Sequence, residues 1–149
     1  MPHVMIIVSP YYEEIAAHLL DGAKAVLEEK HCTYEVFEVP GALEIPLAVQ
    51  YGVQRKEGRG AGKMGFDAFV ALGCVIRGQT SHYDIVSNES ASGLTRVSLD
   101  YSVPIGNGIL TCDSHEQALE RARPDKRNKG GAAAQAAIEL LEVNVKMRR

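Results

Sequence analysis

One histidine stands where the sequence predicts a ligand site. An apolar run ends before two glycines, Gly73 and Gly78, which we expect to bracket a tight loop. Thr80 and Ser81 are suited to cap a helix that starts near His82. The free N–H groups at such a helix start attract anions, and an imidazole beside them can move protons near neutral pH. The segment therefore predicts the edge of an active site.

The elements that must position this histidine alternate along the chain. Short apolar runs predict strands over His3–Val8, Thr33–Val39, Asp67–Leu72 and Pro104–Cys112. Apolar residues at helical spacing predict helices over Tyr12–Glu29, Leu43–Gln54, His82–Asp100, Glu116–Ala122 and Ala132–Lys146. This alternation predicts an α/β fold, with a four-stranded parallel sheet and helices on both of its faces.

Two stretches interrupt the pattern without dividing the chain. Arg55–Gly65 is charged and glycine-rich, so we expect an exposed, mobile loop there. Arg123–Gly131 is interpreted as a basic turn. The sequence shows no repeat, no linker and no change of composition typical of a second domain, so residues 1–149 are expected to form one domain.

The fold class selects the loops that should bind a ligand. In an open parallel sheet, ligands bind outside the carboxyl ends of the strands. Tyr11, Glu44 and His82 all fall in or beside loops at that edge. Arg121 and Lys129 follow the fourth strand, and either could reach a phosphate from its own chain or from the next.

Composition and charge exclude several classes of protein. No apolar run approaches the ~20 residues of a membrane span, and the N-terminus lacks a signal peptide. Residues 1–120 carry eight Lys and Arg against 16 Asp and Glu, whereas residues 121–149 carry eight against three. The acidic remainder argues against nucleic-acid binding, and the basic end favours a small anionic ligand or a neighbouring subunit. The three cysteines lack metal-site spacing and fit a reduced, cytoplasmic protein.

The chain resembles the 6,7-dimethyl-8-ribityllumazine synthase family in four motifs that occur in the family's order. They are VPGALEIP at Val39–Pro46, LGCVIRGQTSHYD at Leu72–Asp84, ERA at Glu120–Ala122 and NKG at Asn128–Gly130. The resemblance implies a flavodoxin-like, three-layer αβα sandwich. It also implies a homopentamer with its sites between adjacent subunits. The charged Arg123–Arg127 turn and a start almost at the first strand favour an isolated pentamer over a larger shell.

The activity implied by the resemblance is the penultimate step of riboflavin biosynthesis. The family condenses 5-amino-6-(D-ribitylamino)uracil with 3,4-dihydroxy-2-butanone 4-phosphate and releases phosphate and water, without a metal or an organic cofactor. His82 occupies the catalytic acid–base position, although a histidine that only helps to start a helix is the alternative. Gln79, Thr80 and Arg121 match the phosphate-binding groups, with Lys129 as a further candidate. Without the resemblance, Arg121 would be interpreted as a solvated arginine that complements a helix dipole.

The resemblance also assigns residues to the ring substrate. Tyr11 matches an aromatic that stacks on the pyrimidine, where the family more often has Phe. Two segments match contacts to the uracil edge and the ribityl chain: Ala42, Leu43 and Glu44, and Cys74, Val75 and Ile76. Asn107 departs from the family, because many members place an aromatic there over the substrate ring of the neighbouring subunit. Arg77 is expected to hold its loop and not to touch substrate.

Two other functions compete with the enzyme. A non-catalytic flavin- or lumazine-binding protein on this fold is favoured by the departure at Asn107. A flavodoxin-like electron carrier or phosphate-responsive module is disfavoured, because the first loop, Ser9–Tyr12, lacks a cradle of glycines and hydroxyl groups for a flavin phosphate.

Overall fold

The computed structural model describes residues 1–55 and 65–148. In chain order they form β1 (His3–Val8), α1 (Glu13–Glu29), β2 (Thr33–Glu38), a 3₁₀ turn (Ala42–Glu44), α2 (Ile45–Gln54), β3 (Ala68–Ile76), α3 (His82–Tyr101), β4 (Ile105–Cys112), α4 (His115–Ala122) and α5 (Lys129–Met147). The predicted loop falls almost wholly on residues 56–64, which lie outside the described residues.

The strands form one parallel sheet in the order β2-β1-β3-β4. Alternate residues of the central strands point to opposite faces, so each face carries its own core. Val4 and Ile6 pack in a cluster with α1, α4 and α5, whereas Met5 and Ile7 pack in a cluster with α2 and α3. The result is the predicted three-layer αβα sandwich, in which both faces of the sheet are covered.

Several sequence predictions are confirmed. β1 has its predicted bounds, α1 begins one residue late, and α3 begins at His82 as expected. Pro46 lies in the first turn of α2. Among the described residues, no helix is long and apolar enough to cross a membrane.

The prediction that β3 ends at Leu72 is wrong. The strand continues through Gly73 to Ile76 because its last four residues pair with Ile109–Cys112 of β4. A Cβ atom at Gly73 would meet Ile45 at 3.4 Å, an ordinary packing distance, so this glycine lies within a strand and does not mark a turn. The loop that carries the site is therefore shorter than predicted and runs only from residue 77 to residue 81.

The start of α5 also differs from the prediction. The helix begins at Lys129 and not at Ala132, because the Asn128 side chain accepts a hydrogen bond from the Gly131 N–H at 3.2 Å and caps the first turn. A Cβ atom at Gly130 would lie 2.1 Å from the carbonyl oxygen of Leu19 in α1. This glycine permits close packing of α5 against α1. Because glycine also favours turns, the sequence alone indicated a turn at this position.

Candidate active site

The largest group of predicted site residues surrounds one cavity of about 420 Å³ at the carboxyl edge of the sheet. The residues that line it come from the loops after β1, β2 and β3, from the 3₁₀ turn before α2, from the end of β3 and from the start of α3. They are Ser9, Tyr11, Tyr12, Gly41, Ala42, Leu43, Glu44, Cys74, Val75, Ile76, Gly78, Thr80, His82, Tyr83 and Val86. Nine of the residues predicted from the sequence are among them. We refer to this depression as the histidine cavity.

Hydrogen bonds hold the loops of the histidine cavity in place. The Ser9 N–H donates to the carbonyl of Leu72 at 3.0 Å, and the Ser9 hydroxyl donates to the carbonyl of Pro40 at 3.2 Å. Ser9 is almost fully buried, so both bonds are shielded from water. The first bond fixes the loop that carries Tyr11 to β3, and the second ties this loop to the one that precedes Ala42.

Tyr11 offers a free aromatic surface beside the histidine cavity. Its side chain is 73% exposed, which rules out a role in the core, and its ring meets that of Tyr12 edge-on at 4.9 Å. An exposed aromatic at the rim of a concave site is available to stack on a planar ligand.

His82 is exposed at the first residue of α3. Its N–H donates to the hydroxyl of Thr80 at 3.3 Å, as the predicted cap requires. Ser81 occupies the N-cap position but its side chain makes no capping hydrogen bond, so that part of the prediction is wrong. Within residues 1–55 and 65–148, the His82 imidazole makes no hydrogen bond or ion pair and is free to meet a ligand.

A second cleft, of about 350 Å³, contains the two cationic side chains predicted to bind phosphate, Arg121 and Lys129. It is lined by Asn107, Gly108, Ile109, Leu110, Thr111, Arg121, Lys129, Ala132, Ala133 and Ala136, from β4, α4 and α5. We refer to it as the cationic cleft. Gln79 lines neither depression, although it lies in the exposed loop between β3 and α3.

Arg121 lies in the last turn of α4 and is about one third exposed. It donates to the carbonyl of Gln117 at 3.2 Å, as the helix-dipole interpretation expects, and lies 4.0 Å from the carboxylate of Glu120. Lys129 is exposed at the first residue of α5. Both side chains carry the positive charge that an anion in this cleft requires, and the helix start at Lys129 adds its own positive potential.

Sequence reasoning missed three residues with functional potential. Tyr12 and Tyr83 line the histidine cavity, and each directly follows a residue that was predicted, so their proximity in sequence was the available signal. Burial, with Tyr11 adding to the effect, raises the pKa of the Tyr12 phenol and keeps it a neutral donor. Val86 adds an apolar wall that belongs to the buried face of α3.

The chain is similar to known proteins over nearly its whole length. The family model for 6,7-dimethyl-8-ribityllumazine synthase matches residues 2–144. A 6,7-dimethyl-8-ribityllumazine synthase from Agrobacterium fabrum is 47% identical over 98% of this chain and 97% of its own. One from Methylorubrum populi is 51% identical over 94% of this chain and 81% of its own. A third, 6,7-dimethyl-8-ribityllumazine synthase 1 from Rhizobium meliloti, is 44% identical over 97% of this chain and 93% of its own.

The chain belongs to the 6,7-dimethyl-8-ribityllumazine synthase family. It is accordingly a transferase of riboflavin biosynthesis. Among the described residues, no group of three or more His, Cys, Asp and Glu side chains is placed to hold a metal ion.

The Cys74 thiol lines the histidine cavity, and its thiolate form would compete with the His82 imidazole for protons and electrophiles. Cys74 is half-buried in β3, and Cys112 lies two residues beyond its pairing partner in β4. Burial raises the pKa of the Cys74 thiol to about 12, and the neighbouring Cys112 thiol adds to the shift. Cys74 therefore stays protonated and acts as a small apolar wall.

We expect Cys74 to resist alkylation. At about pH 8 its thiolate fraction should be on the order of a thousandfold below that of an ordinary thiol, so iodoacetamide should label it that much more slowly. Mass spectrometry of timed digests measures the rate, and protein unfolded in urea is the control in which all thiols react. Labelling of native Cys74 at the rate of a free cysteine would show that a thiolate does exist in the cavity.

Proposed function

We propose that this protein condenses 5-amino-6-(D-ribitylamino)uracil with 3,4-dihydroxy-2-butanone 4-phosphate to form 6,7-dimethyl-8-ribityllumazine. One observation carries the proposal: Tyr11, Glu44 and His82, distant in sequence, surround a single cavity at the edge where this fold binds ligands. The cavity combines an exposed aromatic ring, a carboxylate and an imidazole, which suit a polar heterocycle that must exchange protons.

In the proposed mechanism, the ring substrate stacks on Tyr11 while Glu44 and neighbouring backbone groups hold its polar edge. Its amine attacks the ketone, a C–N bond forms, and water leaves to give an imine. The C–O bond to phosphate then breaks and phosphate leaves, the ribitylamino nitrogen attacks the carbonyl that results, and a second water leaves as the ring closes. His82 accepts and returns the protons of these steps, and the orientation of two bound reactants supplies much of the acceleration.

The phosphate of the second substrate needs cations that the histidine cavity lacks. No lysine or arginine is among the described residues that line it, whereas the cationic cleft contains Arg121 and Lys129. We propose that the protein is a homopentamer in which the cationic cleft of one subunit completes the histidine cavity of the next. Arg121 then binds the phosphate together with the amides at Gln79 and Thr80, because a charge-assisted pair and a helix start both favour an anion.

We also propose a cytoplasmic location. Cys32, Cys74 and Cys112 are free thiols, and a reducing compartment preserves thiols of this kind.

His82→Ala should lower kcat by about 10²- to 10⁴-fold without abolishing turnover, since binding and orientation of the substrates remain. Steady-state assays with both substrates across pH measure this loss. His18→Ala is the matched control, because His18 is a partly buried histidine on α1 that lines neither depression. A wild-type rate for His82→Ala at every pH would contradict the acid–base role, and a wild-type protein that binds without turnover would contradict the proposed function.

Asn107 has a structural partner of its own. Its side-chain oxygen accepts the Ile109 N–H at 2.9 Å, on the outermost strand of the sheet. The amide thus satisfies a backbone donor at a sheet edge and supplies no ring surface to a ligand. We infer that the site binds the aromatic substrate and product more weakly than it would with an aromatic residue at this position.

Asn107→Phe should tighten binding of the product. A stacked ring contributes roughly 1–3 kcal/mol, so the Kd should fall by about 5- to 150-fold. Calorimetric titration of each variant measures the Kd. Asn107→Ala is the control that removes the amide without adding a ring, and an equal Kd for wild type and Asn107→Phe would defeat the prediction.

A further inference from the structure

Arg77 makes an unusual set of contacts for a half-exposed side chain at the end of β3. Its backbone N–H extends the sheet by donating to the carbonyl of Cys112 at 2.9 Å. Its Nε donates to Oδ1 of Asp113 at 3.1 Å, and its terminal nitrogen lies 3.7 Å from Oδ1 of Asp84. The guanidinium carbon lies 4.2 Å from the centre of the Tyr83 ring. One side chain thereby joins two helix starts.

The first of these helix starts carries the proposed acid–base residue. Tyr83 and Asp84 directly follow His82 in the first turn of α3, and Tyr83 also lines the histidine cavity. The preceding loop has little packing of its own: residues 77–81 are exposed, and a Cβ atom at Gly78 would meet nothing within 4 Å. The contacts of Arg77 to Tyr83 and Asp84 therefore restrain a turn that the loop alone leaves free.

The second helix start leads to the cationic cleft. The Asp113 N–H donates to Oε1 of Gln117 at 2.8 Å, and the carbonyl of Gln117 accepts from Arg121 at 3.2 Å. Arg77 is therefore linked through Asp113 and Gln117 to the helix that carries Arg121. Arg77 itself is not among the described residues that line the histidine cavity or the cationic cleft.

We propose that Arg77 is a positioning residue that fixes His82 by clamping the first turn of α3 to the junction of β4 and α4. This inference rests on the proposed role of His82. An arginine suits the task because its planar fork donates to a carboxylate while its face stacks on an aromatic ring, and a lysine cannot do both. The clamp sets the direction of the imidazole without touching substrate.

Arg77→Ala should lower kcat by about 10- to 100-fold with little change in either KM, since a small misplacement of a catalytic group slows the reaction more than it weakens binding. Arg77→Lys should recover only part of the loss. Arg123→Ala is the matched control: it removes an equally exposed arginine that pairs with Asp125 at 3.0 Å and lines neither depression. Asp113→Asn should act in the same direction, and combining it with Arg77→Ala should cost less than the sum of the two effects.

A substrate-free measurement separates this inference from the proposed function. In protein labelled with ¹³C at histidine, the His82 signal should shift or broaden in Arg77→Ala and stay unchanged in Arg123→Ala, with His82→Gln identifying the signal. An unchanged His82 signal, a wild-type kcat for Arg77→Ala, or a loss confined to the KM of the phosphorylated substrate would overturn the positioning role. Absence of turnover in wild type would overturn the proposed function, while the histidine signal would still decide the role of Arg77.

Discussion

The pairing of β3 with β4 out to Ile76 and Cys112 is the interaction on which the arrangement of this site depends. Because the two strands are parallel and end together, the loop that leads to α3 and the junction that leads to α4 leave the sheet at the same edge. His82 starts one of these helices, and Arg121 lies in the last turn of the other. Had β3 ended at Leu72, the loop before His82 would have nine residues instead of five, and the first turn of α3 would lack a rigid base.

Much of this could be predicted from the sequence, for physical reasons that are specific to each residue. The start of α3 was predictable because Thr80 is a good capping residue and the apolar spacing begins after it. Tyr11 and Glu44 were predictable because the carboxyl-edge rule depends only on the order of strands and helices. The errors at Gly73 and Gly130 have different causes. A Cβ atom would fit at Gly73, so this glycine lies in the strand without a turn or a close approach, whereas Gly130 is required by the close approach of α5 to Leu19.

The division of the candidate residues between two depressions could not be predicted from the sequence, because it depends on which face of the sheet each helix covers. α3 packs on one face of the sheet, and α4 and α5 pack on the other. This separates the imidazole and the aromatic rings from Arg121 and Lys129. In the proposed pentamer the separation has a function, because a phosphorylated substrate is held only where two subunits meet. Assembly is then a condition of catalysis, and each subunit contributes the half that its neighbour lacks.

Mixed oligomers test this central claim most directly. His82→Ala subunits keep the cationic cleft and Arg121→Ala subunits keep the histidine cavity, so co-assembly of the two should rebuild complete sites at roughly a quarter of the interfaces. Turnover should then rise to about a quarter of the wild-type value, well above that of either variant assembled alone. Turnover no greater than the average of the two separate variants, in oligomers shown to contain both subunits, would contradict a site shared between neighbours.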